Sequence, residues 1–278
     1  MSRLRDFVEK SHLFIACCAA LLSVQSFFIT LNAMNWPAVA LTFFATLAIY
    51  NLSVVSITFI RTSGDRLLRL HFEGDQLNVV VFLISIPAIL SLLPGCSHLQ
   101  ALIFMAVSVM ALFYMMPVKL NNNRLPGIRH HWLIKNILLS LIWSMATVLI
   151  PLAGDGNALL GGETIFVLAR NFFFIYALTV IYDLRDLQTD AAAGMRTLAM
   201  VTGSSGAKLI ALLSLMVFAV LAFADPLMED GYKLPLIMSF LPAAAVVLLA
   251  GPARKRSYYL WAVDGMMALK ALLVIMVH

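Results

Sequence analysis

Apolar residues occur along this chain in long runs, without the strict alternation of strands or the one-faced pattern of surface helices. Each run is about 20 residues long, which is the length at which an α-helix crosses the hydrocarbon core of a bilayer. Lipid offers the backbone no hydrogen-bond partner, so runs of this kind must be helical. The predicted spans are nine: 12–31, 37–60, 77–94, 99–118, 133–153, 164–183, 207–224, 233–250 and 257–277. The pattern predicts an all-α polytopic membrane protein, with a single domain over residues 1–278.

Basic residues alternate between the connections that join these runs. Sixteen of the 19 basic residues lie in every second connection or at the span edges beside it: Arg3, Arg5, Lys10, Arg61, Arg66, Arg69, Lys119, Arg124, Arg129, Lys135, Arg185, Arg196, Lys208, Arg254, Lys255 and Arg256. The intervening connections contribute Lys233 alone. By the positive-inside rule, we expect the N-terminus and the basic connections to be cytoplasmic and the C-terminus to face the other side.

Composition supports a membrane protein. Hydrophobic residues make up 62% of the chain and charged residues 12%, which is roughly half the charged fraction of a soluble domain. The formal net charge is +5, but it is spread over short connections, so membrane orientation explains it better than a nucleic-acid partner does. The three cysteines predict no disulfide framework.

Three carboxylates stand at the end of the sixth predicted span, at Asp183, Asp186 and Asp190. On a continuous helix they fall within roughly 60° of one another. Like charges on one face repel, so such a cluster is typical of a cation site. Mg²⁺ accepts carboxylate oxygens and leaves positions for phosphate. The alternative interpretation is an acidic, solvated helix end.

The connection after the fourth span supplies the opposite charge. Lys119, Arg124 and Arg129 follow Tyr114 closely. Guanidinium and ammonium groups facing a metal-binding carboxylate cluster are suited to a diphosphate. Taken one at a time, these basic residues are more simply explained as topology signals.

Three stretches resemble the UbiA-type family of intramembrane prenyltransferases. The segment from Asp183, DLRDLQTDAAAGMRTL, with Gly203 after it, is similar to the second aspartate motif of that family. Tyr114, Pro117 and Lys119 resemble its tyrosine–lysine element, and KNILLSLIWSMATVLIP from Lys135 resembles its fifth helix. The resemblance extends over essentially the whole chain.

The resemblance implies a helical bundle around a central cavity that opens sideways to membrane lipid. It implies Mg²⁺-dependent transfer of a prenyl group from a prenyl diphosphate to an aromatic or other lipophilic acceptor. Asp183, Asp186 and Asp190 would then be catalytic and hold the metal. The residues expected to bind substrate are Asn51, Tyr114, Lys119, Arg124, Arg129, Tyr182 and Arg196.

The first aspartate motif of the family is degenerate here. Tyr50-Asn51 is present, but Val55 and Phe59 stand where the family has aspartates. Asp65 and Asp75 lie farther along the connection, and Asp65 could substitute only if the connection folds back. This departure favours an alternative function, a non-catalytic relative that binds a polyprenyl or quinone-like lipid.

Two further classes fit less well. A transporter would show more charges within its spans and paired Gly/Pro-broken helices. A phosphatidyl-alcohol transferase would have Gly after its aspartate, where this chain has Leu187. The charges that do lie within spans, at Arg170, Asp264 and Lys270, are assigned structural roles by default, with Arg170 and Lys270 expected to snorkel towards the interface.

Overall fold

The fold is a bundle of long apolar helices with two short antiparallel hairpins. The computed structural model describes residues 2–61, 68–73, 75–115, 119–120, 123–124, 132–154, 159, 161–192 and 196–277. The longer helices are α1 Ser2–Lys10, α2 Leu13–Ile29, α3 Trp36–Leu52, α4 Gln76–Leu92, α5 His98–Met115, α6 Trp132–Ser144, α7 Gly162–Arg185, α8 Leu198–Ala224, α9 Asp230–Leu249 and α10 Gly265–Ile275. The hairpins pair β1 Ser56–Arg61 with β2 Leu68–Glu73, and β3 Lys119–Leu120 with β4 Asn123–Arg124.

Within the described residues, seven helices are long and apolar enough to cross a membrane, judged by length and composition. Two shorter apolar helices, α2 and α3, have 17 residues each and coincide with the first two predicted spans. The prediction of a helical membrane protein is confirmed, and the count of nine spans stays a prediction. The second predicted span, 37–60, is too long, since α3 ends at Leu52 and its apolar continuation forms β1.

Two of the spans change their winding midway. One π-helical stretch, Met145–Leu149, joins α6 to the short helix Ile150–Leu152. Another, Tyr259–Val263, joins the turn Arg256–Tyr258 to α10. Such insertions widen the helix locally.

A glycine breaks α8 near its start. Gly203 has φ +73°, a conformation that glycine adopts without the steric cost of a Cβ atom. The predicted span 207–224 therefore begins too late, because the helix starts at Leu198 and bends at this residue.

The buried core centres on α7. Its inward residues include Phe174, Leu178 and Ile181, which are almost completely buried. By contrast, α4 carries Val80 and Ile84 at 50% and 60% exposure. Large apolar side chains in contiguous exposed rows mark a surface made for lipid. The bundle therefore has a packed centre and a lipid-facing periphery.

Candidate functional site

The candidate site lies at the end of α7, where Asp183 occupies the last turn of the helix. The ammonium Nζ of Lys135, from the first turn of α6, donates to Asp183 Oδ1 at 2.9 Å and to Asp190 Oδ2 at 3.0 Å. The side-chain amide of Asn136 donates to Asp183 Oδ2 at 2.8 Å. Both oxygens of Asp183 are thus hydrogen-bonded to neighbouring residues on α6.

These groups are withdrawn from solvent. Asp183 is 1% exposed, Asp190 4% and Lys135 7%. A buried charge is tolerated only where opposite charge and hydrogen bonds compensate its lost hydration. One ammonium between two carboxylates leaves this cluster with a formal charge of −1, so one further positive group would neutralise it.

Asp186 does not join the other two aspartates. The α-helix ends at Arg185, and Asp186 is its C-cap with non-helical φ −93° and ψ 6°. Its carboxylate accepts two hydrogen bonds from Arg185, Nε to Oδ1 at 2.7 Å and Nη2 to Oδ2 at 2.8 Å. The expectation of three carboxylates on one face of a continuous helix is therefore wrong, because the helix stops within the motif and Asp190 belongs to the short helix Leu187–Ala192.

The side chains as arranged do not fit the predicted Mg²⁺. Magnesium requires several oxygen ligands in near-octahedral geometry. Among the described residues, no three His, Cys, Asp or Glu side chains gather closely enough to hold a metal ion. The position between Asp183 and Asp190 is filled by the ammonium of Lys135.

The basic connection directly precedes α6 in the chain. Lys119 and Arg124 are paired across the β3–β4 hairpin. This hairpin lies between α5 and α6 in the chain, and Lys135 lies in the first turn of α6. Tyr114 is half-buried near the end of α5 and packs against a core cluster with Leu41 and Ile142. Arg129 lies outside the described residues.

The remaining predicted substrate-binding residues are more dispersed. Asn51 is buried, and its side-chain amide donates to the Ser11 carbonyl at 2.9 Å and to the Leu47 carbonyl at 2.8 Å, which ties α3 to the junction of α1 and α2. Tyr182 donates to the Tyr259 carbonyl at 3.0 Å. The Arg196 side chain is exposed.

The first-motif positions supply no carboxylate to the site among the described residues. Val55 is buried and apolar, and Phe59 lies in β1. Asp75 caps α4, accepting from the Leu77 backbone N–H at 3.3 Å, and Asp65 lies outside the described residues. Within the described part of the chain, the degenerate first motif therefore brings no carboxylate to Asp183.

An apolar groove of about 350 Å³ lies on the flank of α6, α7 and α8. Its lining includes Ile137, Phe172, Tyr176 and Leu213. Ile137 is two residues from Lys135, and Tyr176 is two helical turns from Asp183, about 10 Å along the axis. Leu213 is 57% exposed and Ile137 43%, so the groove opens on the lipid-facing side of the bundle. The predicted central cavity stays a prediction.

Two site residues were missed by sequence reasoning, Lys135 and Asn136. Lys135 stands at the edge of a span, where a basic residue is explained by membrane topology. The available signal was its place in KNILLSLIW, one turn into an apolar run, where a lysine must find a carboxylate partner or reach water.

Comparisons with known proteins identify the fold. No family model matches the sequence, and no curated protein matches it. A solved apo structure of a UbiA homolog from Aeropyrum pernix K1 has a TM-score of 0.57 to this chain at 12% identity, over 96% of this chain and 95% of that one. At this identity the likeness is one of fold. The chain has the UbiA-type fold of an integral membrane protein.

Proposed function

We propose that this protein is an integral membrane prenyltransferase, which moves an isoprenyl group from a prenyl diphosphate to an aromatic or lipophilic acceptor. One observation carries the proposal: in a chain of UbiA-type fold, Lys135, Asp183 and Asp190 form a buried ionic cluster at the end of α7, and the basic connection precedes α6 in the chain. The basic residues that precede this cluster in the chain suit a diphosphate.

Positive charge on the chain would bind the leaving group. Departure of diphosphate from an allylic carbon leaves an anion, and fixed positive groups that face it lower the barrier. The ammonium of Lys135 and the basic residues Lys119, Arg124 and Arg129 supply this charge. Asp183 and Asn136 hold the first turn of α6 against α7 and so orient the ammonium.

The apolar groove would take the isoprenoid chain. A prenyl diphosphate has a charged head and a hydrocarbon tail, and a groove that opens towards lipid lets the tail enter without crossing water. Aromatic side chains along it, such as Phe172 and Tyr176, can stabilise a cation through their ring faces. Exclusion of water would let the allylic cation react with the acceptor before it is hydrolysed.

Mg²⁺ enters no step of this proposal. The magnesium predicted from the sequence stays a prediction. Lys135 lies between Asp183 and Asp190, the carboxylates that would hold the metal. A titration of the purified protein with a divalent ion tests it.

Transfer is measured with a radiolabelled prenyl diphosphate and membranes that contain the protein, with the lipid products identified by mass spectrometry. We expect prenylated lipid products with the wild-type chain and their loss with Asp183→Asn. Lys233→Met is the matched control, since Lys233 pairs with the exposed Asp230 at 2.8 Å. Equal products from all three proteins would refute the assignment.

A second function is favoured by the degenerate first motif. A non-catalytic relative would bind a polyprenyl or quinone-like lipid in the same groove without turnover. Val55 and the helix-capping role of Asp75 support this alternative, since neither position brings a carboxylate to Asp183. Saturable binding of a prenyl diphosphate, with no product from any acceptor tested, would select it.

Orientation in the membrane is proposed from the charge pattern alone. We infer that the N-terminus and the candidate site face the cytoplasm and that the C-terminus faces the other side. Single cysteines introduced into the connection 154–163 and into 186–192 test this with an impermeant thiol reagent. Labelling from outside at 154–163 and not at 186–192 is expected, and the reverse would contradict it.

A further inference from the structure

Lys135 occupies the place that a divalent cation would take between two aspartates. We propose that its ammonium is the resident cation of the site, so that Asp183 and Asp190 bind no divalent metal while Lys135 remains between them. The inference concerns the protein without substrate, and it stands whether or not prenyl transfer occurs.

The hydrogen-bond geometry supports this assignment. Nζ of Lys135 lies 2.9 Å from Asp183 Oδ1 and 3.0 Å from Asp190 Oδ2, so one ammonium bridges two elements of the fold. These are lengths of charge-assisted bonds. The second oxygen of Asp183 accepts from Asn136 at 2.8 Å. A metal ion at this position would need to displace the ammonium and share Asp183 with an amide donor.

Charge balance leads to the same conclusion. With Lys135 in place the two carboxylates carry one net negative charge, and without it they carry two. The third acidic residue of the motif, Asp186, is engaged by Arg185 through both oxygens. A divalent ion prefers several carboxylate oxygens. The ammonium of Lys135 already binds one oxygen of Asp183 and one of Asp190, so the pair attracts a divalent ion less strongly.

Burial makes the lysine difficult to dislodge by water alone. Lys135 is 7% exposed and its two partners are less so. Breaking a buried ion pair leaves an uncompensated charge, which is strongly destabilising. An incoming polyanion, such as a diphosphate, can offer the ammonium a substitute partner, whereas a free metal ion cannot.

The test is a titration of purified protein with Mn²⁺, without any diphosphate, followed by electron paramagnetic resonance and by thermal unfolding in detergent. We expect the wild-type protein to show no saturable Mn²⁺ site and the same Tm in Mn²⁺ and in chelator. Lys135→Met should have a lower Tm in chelator, bind Mn²⁺ at least about tenfold more tightly than wild type, and regain Tm as Mn²⁺ is added.

Two further variants complete the design. In Asp183→Asn/Lys135→Met the gain in Mn²⁺ affinity should disappear, because only one carboxylate remains. Lys233→Met, which leaves the surface carboxylate of Asp230 without its lysine partner, should behave as wild type. Equal Mn²⁺ affinity in wild type and Lys135→Met would overturn the proposal.

A folding failure of Lys135→Met leaves the wild-type titration decisive. A saturable Mn²⁺ site in the wild-type protein that is lost in Asp183→Asn would overturn the proposal, and the absence of such a site supports it. Because no prenyl diphosphate is present, this outcome is separate from that of the transfer assay.

Discussion

Helix α7 carries a buried ionic cluster at each of two levels, and the two differ in sign. At its end, Lys135 lies between Asp183 and Asp190, with one cation to two anions. Thirteen residues earlier, about 20 Å along the axis, the guanidinium of Arg170 forms an ion pair with Asp225, the C-cap of α8.

The second cluster contains an extra cation where the first contains an extra anion. Lys270 is 0% exposed; it donates to the side-chain carbonyl of Asn171 and lies 4.8 Å from the centroid of the Phe174 ring. No carboxylate lies within ion-pair distance of it among the described residues. Asn171 continues the network to Thr147, at 3.4 Å.

The difference separates a site from a packing device. The Asp183 cluster lies at the end of α7, and α6, which supplies Lys135, follows the connection that carries Lys119 and Arg124 in the chain. The Arg170 cluster is buried between α7, α8 and α10, and its ion pair with Asp225 and the hydrogen bond of Lys270 to Asn171 are made within the protein. We expect changes at the first to affect chemistry and changes at the second to affect stability.

The largest effect is expected from Asp183→Asn. Loss of the negative charge weakens one of the two bonds that position the ammonium of Lys135, and displacement of a positioned group by about 1 Å can lower a rate about 100-fold. Stability should change little, because the asparagine still accepts from Lys135. Prenyl-transfer rate and Tm, measured on the same preparation, check both. A large fall in Tm with transfer retained would remove the distinction between the clusters.

Arg170→Met should have the opposite profile. It leaves the Asp225 carboxylate buried without its partner, which costs about 3–5 kcal/mol of unfolding free energy. The double variant Arg170→Met/Asp225→Asn should regain much of this loss, because no buried charge remains. Thermal unfolding in detergent measures both. An unchanged Tm in the single variant would show that the pair is not buried as described.

Lys270→Met is expected to be nearly neutral. The substitution removes a buried charge and keeps a side chain of similar length, and replacing buried charges by well-packed apolar groups is neutral or stabilising. It forfeits one hydrogen bond to Asn171, worth about 1 kcal/mol. Tm should therefore stay near that of wild type. A collapse as large as that of Arg170→Met would instead assign Lys270 to the ion-pair network.

The smallest effect concerns Glu9 on α1. Its carboxylate accepts from Arg5 Nε at 2.8 Å and from Trp261 Nε1 at 2.7 Å. The hydrogen bond from Arg5, and then that from Trp261, lowers the pKa of Glu9. A lowered pKa adds stability above the unfolded value of about 4.3, and that stability is lost as pH falls through the folded pKa.

The Glu9 side chain is partly exposed, so its contribution is about 0.2–1 kcal/mol. Comparison of wild type with Glu9→Gln by Tm between pH 3 and pH 7 checks it. The two proteins should differ slightly at neutral pH and converge in acid. A difference in Tm between the two proteins that grows in acid would contradict a lowered pKa of Glu9.

Sequence patterns predicted the membrane helices well because lipid imposes a length and a composition on each. They failed at two elements where hydropathy does not determine the secondary structure. The stretch Ser56–Arg61 continues an apolar run, and hydropathy alone does not separate a strand from the end of a helix. Leu198 begins α8 ahead of a Gly and Ser stretch that indicates a loop, and the helix tolerates Gly203 by bending there.

The candidate site was predicted in part. Asp183 and Asp190 were found from their spacing, but the spacing argument assumed a helix that continues past Arg185. Arg170 and Lys270 were expected to snorkel and are instead buried. Lys135 was missed because its partners are 48 and 55 residues away, and no local pattern shows a contact at that separation.

The proposed role of Lys135 requires that the protein bind a diphosphate through this ammonium. Equilibrium binding of radiolabelled farnesyl diphosphate to the purified protein in chelator measures this. We predict saturable binding to wild type and to Lys233→Met, and binding at least about tenfold weaker in Lys135→Met. Equal binding by Lys135→Met and wild type, or no saturable binding to either, would contradict it.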